Sequence, residues 1–454
     1  MASIRMTRGR VYGQLIRYTI PLVLGNLFQL LYNVADSVIV GRFIGKEALA
    51  AAGTAGPVME IIILGISGIC IGSGVLISEF FGAGDAERVK REMATSLLFG
   101  LCFSLAVAAL GMALSAPMLR LIRVPEALLD MSCVYLRIIF LGTPFTYLYN
   151  ALASSLKSIG DSATPLRFLM LSSVLNVALD CWLIGLMGFG IVCSAVTTVV
   201  AQGVSAALCL GYVYRNVPAL RLGAGEWRVD GPLLRRTLRY GSVTALQSAC
   251  QPLGKLLIQG AVNPLGVDAM AAFHVAERVD EFALLPERSL GQTMMTFVAQ
   301  NRGAGEKERV REGFAKGMVL ATVYGLAIGV LVHFAREPLL RLFASGADAE
   351  TLVVHGGVYL SLMAWFYLLP SLTNSVQGFF RGMGNMRMTL VCTFLQTSLR
   401  VVFTYVLTPG MGISGIAVAC AVGWTAMMAY EVPFVLRTLQ AMRSKNFKKP
   451  EKST

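Results

Sequence analysis

Twelve apolar stretches, each about as long as a bilayer is thick, follow one another through this chain with short polar connections, and they leave few folds open. They fall at residues 18–40, 50–78, 93–116, 131–154, 166–186, 191–213, 238–262, 269–298, 314–334, 353–376, 389–407 and 413–436. A helix needs roughly 20 residues to cross the hydrocarbon core. Backbone in hydrocarbon must satisfy its own hydrogen bonds, which leaves only helices or closed barrels. Barrel strands alternate over about 10 residues, whereas these runs are longer and apolar on most faces. The sequence therefore predicts an all-α polytopic membrane protein with 12 transmembrane helices. Only 14% of its residues are charged, against about a quarter in soluble domains.

The charges that remain are sorted by side. Lys and Arg number 39 against 26 Asp and Glu, a net charge of +13, which in a soluble chain would point to nucleic acid. Here they cluster in the N-terminal segment, in the loops after spans 2, 4, 6, 8 and 10, and in the tail. The opposite loops hold only Arg42, Lys46, Arg120, Arg123, Arg336 and Arg341. This asymmetry is the positive-inside pattern. It predicts both termini in the cytoplasm, a plasma-membrane location with the lipid bilayer as surroundings, and no nucleic-acid partner. Arg5, Arg8 and Arg10 precede an apolar run too long for a signal peptide, so the first span is expected to stay. Nine cysteines lie singly in apolar stretches without metal-ligand spacing and read as packing residues.

The chain also repeats itself. Residues 81–89 read FGAGDAERV and residues 302–310 read RGAGEKERV, an offset of 221 that also brings the neighbourhood of Gly45 onto that of Gly266. Tyr135, Leu136, Asn150, Gly160, Met187 and Gly188 recur as Tyr359, Leu360, Asn374, Gly384, Met411 and Gly412, an offset of 224. A duplicated six-span unit follows. Six is even, so both copies enter the membrane from one side, and two six-helix bundles related by a pseudo-twofold axis along the membrane normal are expected. The expected division is an N-terminal lobe over 1–213, a cytoplasmic linker over 214–236, a C-terminal lobe over 237–436 and a basic cytoplasmic tail over 437–454. Duplication already supplies two bundles, so a monomer is expected.

An ionisable group in hydrocarbon costs about 2.5–3.5 kcal/mol on insertion scales, so each one needs a reason. In span 1, Asn26, Gln29, Asn33 and Asp36 share one helical face. Asn176 and Asp180 share a face in span 5, and Ser194, Thr198 and Gln202 repeat at intervals of four in span 6. No Lys or Arg lies deep in these three spans. A carboxylate out of water can load and release a proton near neutral pH. The oxygens of Asp36 and Asp180, joined by the Asn176 amide and the Thr198 hydroxyl, also suit Na+. The residues leave H+ and Na+ both open as the ion.

Three motifs carry a family resemblance: residues 32–42 read YNVADSVIVGR, residues 176–180 read NVALD, and residues 299–305 read AQNRGAG. Together they resemble the multidrug and toxic compound extrusion (MATE) family, and the likeness runs from about residue 20 to 436. In the prokaryotic branch with an aspartate pair in the N-terminal lobe, the resemblance implies that Asp36, Asn176, Asp180 and Thr198 form the cation site. By the repeat, Asp36 falls at the apolar pair Leu257 and Ile258, Asn176 on Arg400 and Asp180 on Thr404, so the second lobe lacks this set.

The second lobe carries other polarity. Gln247, Gln251, Lys255, Gln259 and Asn263 form an i, i+4 ladder in span 7, bent by Pro252. Glu277, Asp280, Glu281 and Glu287 lie near one face of span 8, among Arg278 and Arg288. Arg278 and Glu281 are spaced to pair within the helix, and Lys255 can reach span 8. The excess acid is expected to line a cavity for cationic compounds. Gln29, Asn33, Asn150, Gln251, Lys255, Glu277, Asp280 and Glu281 are the expected substrate-binding residues. Lys255 departs from the neutral residue the resemblance implies at its position.

No G-x-x-x-x-G-K-[ST] loop, nucleophile motif or cofactor signature occurs. A secondary transporter, not an enzyme, is expected. It would export organic, cationic and amphipathic small molecules against entry of H+ or Na+ by alternating access, with no cofactor. The rival reading is a flippase or exporter of lipid-linked or anionic metabolites, for which a more cationic cavity is expected. Pro21, Pro57, Pro144, Pro252, Pro286 and Pro370 are candidate bending points.

Overall fold

The computed structural model describes residues 5–342 and 349–443, apart from the side chains of residues 35–37, 40, 46, 47, 49, 57 and 349. Asp36 and Pro57 are thus side chains outside the described residues. The helices are α1 (Val11–Phe43), α2 (Lys46–Ala83), α3 (Ala86–Leu121), α4 (Glu126–Ser158), α5 (Ala163–Asp180), α6 (Ile191–Asn216), α7 (Gly231–Val262), α8 (Val267–Ala304), α9 (Lys307–Arg341), α10 (Ala349–Phe366), α11 (Leu368–Gly382), α12 (Met386–Met411) and α13 (Ile413–Arg443). Among the described residues, nine helices are long and apolar enough to cross a membrane, and the bent pair of α10 and α11 makes a tenth. Helices α7 and α8 are long enough, at 32 and 38 residues, but their interior Lys255, Glu277, Asp280, Glu281 and Glu287 lower their hydropathy. With them, the helices trace one rod for each apolar stretch.

The break between α10 and α11 has a local cause. A proline ring clashes with the carbonyl four residues before it, and for Pro370 that is Phe366, where α10 ends. The two halves meet at 49°, leaving Tyr367 at the corner. Pro21, Pro144, Pro252 and Pro286 lie inside continuous helices instead.

The duplication is visible in the backbone. Four glycine pairs at the repeat offsets adopt positive φ: Gly45 and Gly266 at 113° and 93°, Gly84 and Gly305 at 75° and 78°, Gly160 and Gly384 at 93° and 78°, and Gly188 and Gly412 at 71° and 57°. Such φ values are strained for residues with a Cβ, so each copy ends the same helices with the same turn residue.

Packing divides the chain into two units, Met1–Arg5 with Ile20–Ala245 and Met6–Thr19 with Leu246–Thr454. The divisions fall inside α1 and α7, whereas the sequence suggested the linker at 214–236. In the first unit, a core including Ile66, Leu76, Phe80, Leu97, Tyr147 and Leu156 joins α2, α3 and α4. The start of α7 packs on α2 without intervening side chains: a Cβ on Gly68 would lie 2.6 Å from the Gly241 carbonyl oxygen, and one on Gly72 2.5 Å from that of Thr237. Arg236 donates to Glu79 at 2.8 Å and Thr237 to Glu92 at 2.6 Å. The linker is tied to α3 by Lys90, which donates to Glu226 at 2.8 Å. That bond and the Gly223 amide hold the Glu226 carboxyl below its ordinary value.

In the second unit, Phe273, Val279, Tyr359, Leu360, Met363 and Ile416 form the core of α8, α10 and α13. The early turns of α1 belong here, with Thr19 Oγ1 2.8 Å from Thr293 Oγ1. All nine cysteines are free, and five of them, Cys70, Cys133, Cys209, Cys392 and Cys420, are buried.

Candidate functional site

The first unit gathers buried polar groups where α5 meets α6. Asn176 and Asp180 are one helical turn apart and fully buried. Immediately after Asp180 the helix widens into a π-helical turn, Cys181–Leu186, a distortion that recurs at functional sites and that the sequence did not signal. Tyr32 from α1 donates to Asn176 Oδ1 at 2.8 Å. Asn176 Nδ2 is buried without an acceptor among the described residues.

The hydroxyl that reaches Asp180 belongs to Thr197, whose Oγ1 lies 2.5 Å from Asp180 Oδ1. The residue expected from the sequence is its neighbour, Thr198. A step of one residue turns a helix by about 100°, and Thr198 is only half-buried, with no side-chain hydrogen bond among the described residues. The i, i+4 stripe through Ser194 leads to Thr198, whereas the contact with Asp180 falls on the i, i+3 residue, Thr197.

Thr197 Oγ1 is also 2.9 Å from the Ser194 carbonyl oxygen. A hydroxyl has one proton to give and two lone pairs. Facing an ionised Asp180, it must leave one acceptor without that proton. Facing a protonated Asp180, it can accept from the acid and donate to Ser194, so both contacts are hydrogen bonds. The pair thus accommodates both charge states of the carboxyl group.

The other residues expected in this unit lie elsewhere. Gln29 donates to Asn33 at 3.2 Å along an exposed part of α1. Asn150 donates to the Thr146 carbonyl of its own helix at 2.8 Å.

The second unit encloses a cavity of about 390 Å³ between α7, α8, α10 to α13, within the range that holds one drug-sized molecule. Gln251, Lys255, Glu277, Asp280 and Glu281 all line it, as the sequence suggested. Lys255 Nζ is 3.3 Å from Glu281 and 3.7 Å from Glu277, and Arg278 is 3.1 Å from Glu281. Gln251 donates weakly to Gln396 at 3.4 Å. Buried Asp280 accepts from Tyr359 at 2.9 Å and from Tyr367 at the α10 to α11 corner. Glu287 accepts from Asn374 at 2.9 Å and Ser371 at 3.1 Å. Asn374, the repeat counterpart of Asn150, makes the same bond to the carbonyl four residues back, here Pro370 at 3.0 Å, and adds the contact to Glu287.

The expected excess of acid is not there. Lys255, Arg288, Arg381 and Arg400 line the cavity beside Glu277, Asp280, Glu281 and Glu287, four cations against four acids. The charges of α7 and α8 alone suggest an excess of acid, but Arg381 and Arg400 arrive from α11 and α12. Arg400, at the repeat position of Asn176, feels the charges of Glu277 and Asp280 without a direct ion pair among the described residues.

Arg381 differs from the other three cations in having no acid nearby. It occupies the last turn of α11, and its side chain makes no hydrogen bond or ion pair among the described residues. Its Nε is buried without a partner. Opposing the helix dipole gains about 0.3–1 kcal/mol, against about 1–3 kcal/mol for an unsatisfied buried donor. The helix end alone does not account for this placement.

Among the described residues no cluster of three or more His, Cys, Asp or Glu side chains is spaced to hold a metal ion. The MatE family model matches residues 21–182 and 244–406, one segment in each repeat. A probable multidrug resistance protein of Bacillus subtilis, YoeA, is 30% identical over 372 residues, 80% of each chain. Another from the same organism, YpnP, is 28% identical over 419 residues, 92% of this chain and 93% of that one. Among solved structures, a MOP superfamily transporter from Pyrococcus furiosus superposes with a TM-score of 0.90 at 20% identity, covering 98% of this chain and 99% of that one.

Proposed function

Because the chain belongs to the MatE family of membrane transporters, we propose that it is a secondary antiporter that exports organic compounds in exchange for H+ or Na+. The observation that carries the coupling is the buried set of Asn176, Asp180 and Thr197 in the first unit. A carboxyl group in this position is costly without a role, and its Thr197 contact suits a group that gains and loses a proton. Its oxygens, with those of Asn176 and Thr197, are also the hard donors Na+ prefers. Asp36 joins this set by the family resemblance.

The names of YoeA and YpnP support drugs and related compounds as cargo. The second unit's cavity is the substrate chamber in this reading, and its paired charges favour compounds with polar groups of both signs over simple cations. The rival exporter of anionic metabolites gains ground from the same four cations. The energetics suffice: one charge crossing 100 mV supplies about 2.3 kcal/mol, enough for a roughly 50-fold concentration ratio. The positive-inside pattern supports cytoplasmic termini and a plasma-membrane location, and the duplication supports a monomer.

The test is export of a fluorescent cationic dye from liposomes under a pH gradient or a Na+ gradient imposed separately. One gradient is expected to drive wild type, and Asp180→Asn is expected to abolish the response. Equal transport by the variant would remove the coupling assignment.

A further inference from the structure

The second unit's cavity has one charge left over. Lys255 sits between Glu277 and Glu281, while Arg288, next to Glu287 in the chain, and Arg400 make no direct ion pair among the described residues but feel the charges of Glu287 and of Glu277 and Asp280 respectively. Each acid on the lining likewise has a cation, an amide or tyrosine hydroxyls beside it. Arg400 Nε and Arg381 Nε are both buried without a hydrogen bond, but Arg381 alone among the described lining cations also has no acid nearby.

Its surroundings explain why none is near. Along the cavity-facing side of α11, Asn374 stands level with Glu287, and Arg381 follows seven residues later, about 10 Å further along the helix axis. The intervening lining is neutral: Gln377 donates to Glu431 at 2.6 Å, and Gln247 donates to Thr393 at 2.8 Å and to Gln377 at 3.1 Å. Glu431 is thereby held by an amide and makes no ion pair with Arg381.

We infer that Arg381 is a subsite for an oxyanion group, a carboxylate or phosphate, on the organic compound that occupies this cavity. A guanidinium offers a planar fork of donors that matches the two oxygens of such a group. Bound there, the anion supplies the partner that Arg381 lacks, while the rest of the molecule lies along the amides toward the acidic end. The substrate class this selects is amphoteric or anionic. The inference rests on the reading of this cavity as the substrate chamber.

Full-length protein in phosphatidylcholine nanodiscs is titrated calorimetrically with 2-naphthoate, 2-naphthyl phosphate, neutral 2-naphthamide and cationic ethidium. Wild type is expected to bind at least one of the two anions 10-fold or more tighter than the amide. Arg381→Gln should lose that preference while ethidium affinity stays within twofold, and Arg381→Lys should restore part of it. If neither anion outbinds the amide, or if Arg381→Gln weakens ethidium equally, Arg381 is a structural residue and the inference fails. Repeating the titration in phosphatidylglycerol discs identifies the source of the oxyanion. Anion binding that survives there supports an organic substrate; anion binding lost in wild type assigns Arg381 to a lipid headgroup and overturns the substrate assignment. Gradient-driven dye export is measured separately, so its failure would count against antiport without altering the anion result.

Discussion

Replacing Thr197 by valine keeps the shape of the side chain and removes only the hydroxyl that lies 2.5 Å from Asp180 Oδ1. Both residues are buried, so water does not readily substitute for the lost group. A hydrogen bond to a charged partner contributes about 1.5–3 kcal/mol, equivalent to roughly 10- to 150-fold in an equilibrium constant. If Asp180 carries the coupling ion, the ion concentration that gives half-maximal dye export should move by at least 10-fold. Thr198→Val, one residue along, is the control and should move it less than twofold. The assay is dye export from liposomes over a series of external pH or Na+ values, with protein amounts matched. A larger effect at Thr198, or none at Thr197, would refute the placement of the hydroxyl and its part in coupling.

Three further outcomes follow from the same geometry. Lys255→Met leaves Glu277 and Glu281 without their ammonium; because these side chains are partly exposed, the gain in affinity for a monovalent organic cation should be about 1 kcal/mol, roughly fivefold, in a dye titration. Gly378→Leu should abolish recovery of monodisperse protein, since a Cβ there would lie 2.1 Å from the Gly291 carbonyl oxygen, whereas Gly211→Leu, with nothing within 4 Å, should be recovered normally. The Glu226 carboxyl is held below its ordinary value of 4.5 by Lys90 and the Gly223 amide, so the tether it provides is present above that pH and lost as pH falls through the lower folded value. Hydrogen exchange in the linker should rise over that acid range in wild type, and be raised already at neutral pH in Glu226→Gln.

What could be read from the sequence was what depends on local period. The apolar runs specify the helices, the repeated glycines mark the turns, and four-residue spacing places Asn176 beside Asp180 and Lys255 within reach of α8. The limits appear where one residue or a distant partner decides. Thr197 and Thr198 carry the same side chain, and only the rotation of α6 against α5 separates them. Tyr367 reaches Asp280 across 87 residues of sequence, through a corner that Pro370 creates while prolines in α1, α4, α7 and α8 leave their helices continuous. Nothing in the spacing of α11 and α12 announces that Arg381 and Arg400 line the same cavity as the acids of α8. A charge inventory of single helices therefore gave the cavity the wrong balance.

Antiport is tested most directly in reverse. Liposomes containing the protein are given a gradient of a transported dye and no ion gradient, and the movement of H+ and of Na+ is recorded with ion-sensitive probes. The account predicts that one ion moves opposite to the dye in wild type and that neither does with Asp180→Asn. Dye crossing in wild type without any countermovement of ions would contradict it.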